Sequence, residues 1–201
     1  MLATKMISSD YHPSALAEIY QEKVSMAVWQ RELENGVAEY AKTLLALTHC
    51  FQTRFIQSPA RVVQQLEKEL PLNKHRPAFI RDIAFVVDMF SCLFELKNVG
   101  LRMAVLNTAM CPKFHVDRVP CRLVSTYTGA ATQWHSHEQV QRFDDGSLEP
   151  RAGAKYHTLR TGDVALLKGE AWEGNEGRGL VHRSPEASDN ARRLVLTLDF
   201  A

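Results

Sequence analysis

The residue pattern of this chain changes at Asn98–Gly100, and no other feature constrains the fold as strongly. After this point, short segments rich in strand-forming residues alternate with glycine, proline and aspartate. Short strands with this punctuation are typical of a β-sandwich or a barrel. The predicted strands cover Leu101–Thr108, Phe114–Val119, Cys121–Tyr127, Lys155–Leu159, Val164–Lys168, Gly179–Arg183 and Arg193–Phe200.

Before the change, apolar residues recur at helical spacing. Because helices come first and strands second, the order favours an α+β fold in which helices cover one face of a sheet. A chain of 201 residues is long enough for one domain with a sizeable core. We therefore predict one domain over 1–201, with a mainly helical cover at 1–97 and a metal-binding β-core at 98–201. The predicted N-terminal elements are helices at Pro13–Tyr20, Val37–Thr48, Pro59–Leu70 and Ala78–Leu96, and a short strand at Val24–Trp29.

Two histidines and one aspartate form a candidate metal site in the C-terminal half. Residues i and i+2 of a strand point to the same face, so His115 and Asp117 can reach one metal from one strand. His182, far along the chain, can complete a two-histidine, one-carboxylate set. This set is the facial triad of non-haem Fe(II) oxygenases, and it leaves coordination positions open.

An arginine pair follows His182 by ten and eleven residues and begins the last predicted strand. Strand alternation places Arg193 and Thr197 on one face, and Arg192 with three leucines on the other. Since the leucine face should pack on the helices, we predict that Arg193 points into the cavity. There it can bind the carboxylate of an acidic co-substrate bidentately, with Thr197 beside it. Tyr127 is a candidate second donor to that acid, or a core aromatic residue.

Other interpretations of these motifs stay open. His115 and Asp117 can form a plain hydrogen-bonded pair on a polar sheet face. The segment His135-Ser136-His137-Glu138 can be a solvated loop, or can bind zinc with Cys111 or His157. The glycine-rich segment Trp172–Gly177 can be a lid over a substrate or a connecting loop.

Charge and composition exclude several classes of function. The formal net charge is +1, which argues against nucleic-acid binding that depends on bulk charge. No apolar run reaches the length of a membrane span, and the first ten residues lack a signal-peptide pattern, so we expect a cytoplasmic protein. No Walker-type phosphate loop and no Gly-x-Ser-x-Gly motif occurs.

The C-terminal half resembles the double-stranded β-helix of Fe(II)/2-oxoglutarate-dependent oxygenases. Over its full length the chain is similar to a bacterial family, domain of unknown function 1826. The first resemblance implies a jelly-roll core with an iron- and 2-oxoglutarate-binding site. The second implies a link to bacterial metal homeostasis, zinc above all, but no reaction. The matching segments are Cys111-Pro112-x-Phe114-His115-x-Asp117, Gly162 to Trp172, Gly174 to Pro185, and Arg193.

Three functional hypotheses follow. The first is an Fe(II)/2-oxoglutarate-dependent oxygenase that hydroxylates an unknown small-molecule or protein substrate. In it His115, Asp117 and His182 bind iron, and Arg193, Tyr127 and Thr197 bind the 2-oxo acid. The second is a non-enzymatic zinc-binding protein, in which Cys111 can join the same triad. The third is an interaction module without a stoichiometric metal.

Overall fold

The computed structural model of the protein describes residues 6–48, 50–143 and 145–201. Helices and strands are both present, as predicted. Within the described residues, the helices are α1 (Asn35–Leu47), α2 (Pro59–Glu69) and α3 (Arg76–Leu93), with 3₁₀ helices at Pro13–Tyr20 and His137–Gln139. The strands are β1 (Ile7–Asp10), β2 (Met26–Trp29), β3 (Gln52–Gln57), β4 (Val99–Leu106), β5 (Cys121–Thr128), β6 (Gln133–Trp134), β7 (Val140–Arg142), β8 (Leu148–Pro150), β9 (His157–Thr158), β10 (Val164–Lys168), β11 (His182–Arg183) and β12 (Arg193–Phe200).

A seven-stranded sheet forms the main layer, in the order β1-β2-β10-β5-β12-β4-β3. Only the β1–β2 pair is parallel among these pairings. The N-terminal region thus contributes three strands to the sheet that the C-terminal half builds. A smaller sheet has the order β11-β6-β9, and an isolated bridge between His115 and His182 extends it beyond β11.

The main sheet buries a different set of side chains on each face. Leu194, Leu196 and Leu198 of β12 belong to one large hydrophobic cluster with apolar residues of α1 and α3. Val195 belongs instead to a second cluster, which includes Trp134 of the smaller sheet. The alternation predicted for the last strand is therefore confirmed: leucines face the helices, and the other face looks toward the smaller sheet.

Helix stripes explain why α1 and α3 bury the faces that they do. The buried residues of α3 recur three or four positions apart, which makes one apolar stripe. Its N-terminus contains Pro77, whose fixed φ suits the first helical turn. Ser58 occupies the predicted N-cap position of α2, but its side chain makes no capping hydrogen bond. The buried residues of α3 are Phe79, Ile80, Ile83, Val86, Val87, Phe90 and Ser91.

Some predicted elements differ from the structure. The strand predicted at Phe114–Val119 is wrong, because only His115 pairs there, through its bridge to His182. The carbonyl of Asp117 instead accepts a hydrogen bond from the Glu170 amide at 2.8 Å, so the segment leaves the sheet. Strands β1 and β3 were not predicted from the sequence. No helix among the described residues is long and apolar enough to cross a membrane.

Removing a leucine side chain from the middle of β12 tests the position of the core. Leu196 is fully buried, and we expect Leu196→Ala to lower the free energy of unfolding by about 2–5 kcal/mol through lost burial and a cavity. Urea denaturation followed by circular dichroism measures this change. The control is Leu47→Ala on α1, where the side chain is 64% exposed and the expected change is below about 0.5 kcal/mol. Equal losses in both variants would contradict the packing.

Candidate metal centre

His115 and His182 are placed side by side by a reciprocal pair of backbone hydrogen bonds. The amide of His115 donates to the His182 carbonyl at 3.0 Å, and the amide of His182 donates to the His115 carbonyl at 2.9 Å. Residues opposite each other in an antiparallel pair project to the same face. The two imidazole rings accordingly lie with centroids 4.6 Å apart.

The same local geometry selects the tautomer of both imidazoles. Nδ1 of His115 lies 3.0 Å from the Lys113 carbonyl, and Nδ1 of His182 lies 3.0 Å from the Leu180 carbonyl. A carbonyl only accepts hydrogen bonds, so each Nδ1 carries the proton and donates. Each Nε2 then keeps its lone pair, which is the form in which histidine binds a metal.

Asp117 brings its carboxylate to the two Nε2 atoms. Its Oδ1 lies 3.7 Å from Nε2 of His115, and its Oδ2 lies 3.4 Å from Nε2 of His182. One ligand atom from each of the three residues lies within 4.8 Å of the others. Neighbouring ligands bound at about 2.1 Å to one ion lie roughly 3 Å apart, so small movements would bring this set into contact with a metal. The donor set fits Fe(II) and also accepts zinc.

Arg122 of β5 holds the Asp117 carboxylate from behind. Its Nη1 donates to Asp117 Oδ2 at 2.9 Å. The remaining guanidinium donors bind Asp199 of β12, with Nε to Oδ1 at 2.8 Å and Nη2 to Oδ2 at 2.9 Å. A guanidinium fixed by a bidentate pair is a rigid donor. It therefore orients Asp117, as residues behind the ligands commonly do in metal sites.

The surroundings keep the ligands in metal-binding protonation states. Burial, together with the neighbouring His182, lowers the pKa of His115 below its ordinary value of 6.5. Burial opposes ionisation of Asp117, but the hydrogen bond and charge of His182 and the charge of Arg122 outweigh it, so the pKa of Asp117 is lowered from 3.8. Metals bind neutral imidazole and ionised carboxylate. Both shifts favour the ligating forms near neutral pH.

A turn after β10 anchors the segment that carries Asp117. The Gly169 amide donates to the Pro120 carbonyl at 2.9 Å. A Cβ at Gly169 would lie 2.0 Å from the Val119 carbonyl oxygen and 2.8 Å from that of Asp117. The position therefore requires glycine because the two chain segments approach so closely.

The segment Trp172–Gly177, for which a lid was one interpretation, is tied to the body of the protein. The Trp172 ring packs on Tyr20 and Phe94. Asn175 is buried, and its Nδ2 donates to the Gly169 carbonyl at 3.0 Å. These contacts indicate a fastened connection between β10 and β11.

The two histidines open onto a cavity of about 300 Å³ between the sheets. Arg193 and Thr197 of β12 both line it, as does Arg122. The sequence-predicted metal ligands and two of the three predicted co-substrate residues thus share one pocket. Its other lining residues include Arg54, Arg102, Met110, Cys111, Val124, Leu167, Arg183 and Val195.

Arg193 is buried in this pocket, with 3% of its surface exposed. Its Nη1 donates to the Ala130 carbonyl at 3.2 Å, and its Nε has no hydrogen-bond partner. No carboxylate among the described residues forms an ion pair with it. Burial lowers the pKa of Arg193 to about 10. A buried guanidinium with an unused donor is a site for an anion.

Tyr127 lies elsewhere. Its hydroxyl donates to Asp82 Oδ2 at 2.7 Å, and its ring packs on Phe79 of α3. Tyr127 shares strand parity with Leu123, which also faces the helices, and so it does not join Arg193 and Thr197. Arg192, on the opposite face from Arg193, donates from Nη1 to the Thr48 carbonyl at 3.0 Å.

The alternative zinc cluster does not assemble. His137 Nε2 lies 2.8 Å from Ser25 Oγ, and the His135 ring packs on Phe114. Cys111 lines the pocket but does not complete a metal set. Across residues 6–48, 50–143 and 145–201, His115, Asp117 and His182 are the one group of three or more His, Cys, Asp or Glu side chains that could hold a metal ion.

Sequence reasoning missed the support provided by Arg122 and Asp199. The signal was strand parity: Asp199 continues the Arg193–Thr197 alternation of β12 by two residues. Parity likewise gives Arg122 and Val124 the pocket face of β5 and gives Tyr127 the helix face. Arg54 lies on β3, which the sequence did not reveal.

The family model for a protein of unknown function, DUF1826, matches residues 10–199 of this chain. Among solved structures, a C-terminally truncated Neurospora crassa protein in its apo form is similar at 10% identity. That match covers 93% of this chain and 86% of the other, with a TM-score of 0.51. IDO from Bacillus thuringiensis has 11% identity, covers 94% of both chains and has a TM-score of 0.51.

A putative oxygenase from Shewanella oneidensis has 11% identity, covers 96% of this chain and 89% of that one, and has a TM-score of 0.50. At such identities the likeness shows the fold alone, which is that of the oxygenases. A comparison with curated proteins found no match.

The protonation of His115 provides a test of the site in the metal-free protein. Burial and the adjacent His182 lower its pKa, so its imidazole should titrate below 6.5 and be neutral at pH 7. Histidine side-chain NMR over a pH series measures this. In His182→Ala the neighbouring positive charge is lost, and the titration of His115 should move upward. A midpoint above 6.5 in the unsubstituted protein contradicts the described surroundings.

Proposed function

We propose that this chain, which belongs to the DUF1826 family of proteins of unknown function, is an Fe(II)- and 2-oxoglutarate-dependent oxygenase. His115, Asp117 and His182 would hold the iron. Bound iron and 2-oxoglutarate together would supply the oxidation of a C–H bond by dioxygen. The protein would contribute the ligands, the orientation of the acid and the shielding of the site.

The observation that carries the proposal is the buried Arg193 in the same pocket as the triad. A dicarboxylate that reaches the metal with one end needs a cation for the other end. Arg193 has a free Nε and no acidic partner among the described residues. A guanidinium binds a carboxylate through two parallel hydrogen bonds, and Thr197 on the same strand face can add a hydroxyl donor.

The remaining pocket residues support this chemistry by keeping the site defined. Arg122 holds Asp117 through one oxygen, so that the other oxygen stays available to a ligand. The carbonyls of Lys113 and Leu180 keep both Nε2 atoms unprotonated. Val124, Leu167 and Val195 give the cavity an apolar wall, which excludes water and strengthens charge interactions inside.

A zinc-holding protein would use the same three ligands, and zinc accepts them. Such a protein has no need of a buried, unpaired arginine beside the metal, because burying that charge is costly. Arg193 therefore favours an acidic co-substrate over metal storage. Metal analysis of the purified protein, with calorimetry of 2-oxoglutarate binding, separates the two. Tight zinc without 2-oxoglutarate binding would refute the oxygenase.

Turnover of 2-oxoglutarate tests the triad. With added Fe(II) in air, we expect formation of succinate that falls by more than about 100-fold in His115→Ala and in His182→Ala, because each removes a metal ligand. The control is His157→Ala, since His157 lies on β9 with an exposed side chain that is outside the triad. Unchanged succinate formation in the two ligand variants would place the reaction elsewhere.

Arg193→Gln tests the position of the acid. Losing charge-assisted hydrogen bonds worth about 1.5–3 kcal/mol should raise the KM for 2-oxoglutarate about tenfold to a hundredfold. Iron affinity, measured anaerobically, should change little. Arg192→Gln is the matched control, because Arg192 lies on the opposite face of the strand and outside the pocket lining. A similar rise of KM in both variants would contradict the assignment.

A further inference from the structure

Two more arginines lie side by side in the pocket, on the edge of the main sheet. Arg54 of β3 and Arg102 of β4 are paired in register across neighbouring strands. Arg102 is paired in turn with Thr197 of β12. Both arginines line the cavity onto which the metal ligands open.

Neither of these arginines has an acidic partner. No Asp or Glu of the described residues forms an ion pair with Arg54 or Arg102. Asp199, the acidic residue in the described pocket lining, is engaged by Arg122 in a bidentate pair. The Nε of Arg102 is buried without a hydrogen-bond partner. Like charges placed opposite each other on a sheet destabilise it, so this pair needs an anion to compensate it.

This pair is distinct from Arg193. Arg102 is paired with Thr197, four residues along β12 from Arg193, which is about 13 Å of strand. Arg193 donates to the Ala130 carbonyl, beyond β5, whereas Arg54 and Arg102 lie on the other side of β12. The pocket thus offers two cationic positions, at different ends of the β12 face.

We propose that the substrate carries an oxyanionic group, a carboxylate or a phosphate, and that Arg54 and Arg102 bind it. This inference rests on the proposed function, in which Arg193 binds the acidic co-substrate and leaves the second pair for the substrate. Two guanidinium groups present several fixed donors to the oxygens of such a group. A cavity of about 300 Å³ is at the small end of ligand pockets, so the substrate is a small acid or phosphate ester.

Anion binding tests this proposal without turnover. Calorimetric titration uses inorganic phosphate in one arm and acetate in the other, on the full chain at constant ionic strength. Arg102→Gln and Arg54→Gln should each weaken binding of the preferred anion about tenfold to a hundredfold. Arg81→Gln, on an exposed position of α3, is the matched control and should bind as the unsubstituted protein does. The arm with the tighter binding identifies the group.

The second measurement separates this site from the co-substrate site. Arg193→Gln should retain phosphate or acetate binding at the arginine pair while it weakens 2-oxoglutarate binding. If Arg54→Gln is folded and binds both anions like Arg81→Gln, the proposal is overturned, even where Arg102→Gln fails to fold. Anion binding that survives in His182→Ala supports the subsite independently of metal. Normal succinate formation with no effect of either arginine substitution on anion binding leaves the oxygenase intact and refutes only this inference.

Discussion

The backbone pairing of His115 with His182 is the constraint on which the site depends. It is an isolated bridge, made by two hydrogen bonds, yet it decides where two of the three ligands lie. It also extends the smaller sheet beyond β11, so that the ligand Nε2 atoms open toward the main sheet. Each ring is then turned by a carbonyl two residues before it. The chemistry available to the pocket follows from these backbone contacts more than from any side-chain contact.

Strand parity explains both the successes and the failures of prediction from sequence. The alternation of β12 was readable because its leucines separate cleanly from Arg193 and Thr197, and the triad was readable because histidine and aspartate have distinctive metal chemistry. Tyr127 was misplaced because a tyrosine suits a wet pocket and a core equally well, and only the parity of β5 decides. Strand β3 was missed because Gln52–Gln57 alternates weakly. Phe114–Val119 looked like a strand, but contacts with a distant turn at Gly169 bend it away.

Local charge is what the balanced composition conceals. The net charge is +1, but Arg54, Arg102, Arg122, Arg183 and Arg193 all line one cavity. Arg122 is compensated by Asp117 and Asp199. Arg193 is not paired with any described carboxylate, and its lowered pKa reflects the cost of that burial. A pocket of this kind is stabilised by the anions it binds, since ligand binding to the folded state adds to stability.

The pairing between His115 and His182 also bears on how the protein acquires its metal. The two residues are remote in the chain, and they meet only when β10 and β11 have returned to the start of the C-terminal half. Contacts between distant segments form slowly because loop closure costs entropy before the contacts compensate it. An unfolded or half-folded chain therefore carries no preformed triad. Metal capture is consequently a late event in biogenesis, and a bound ion serves as a clasp that holds the two ends of the β-core together.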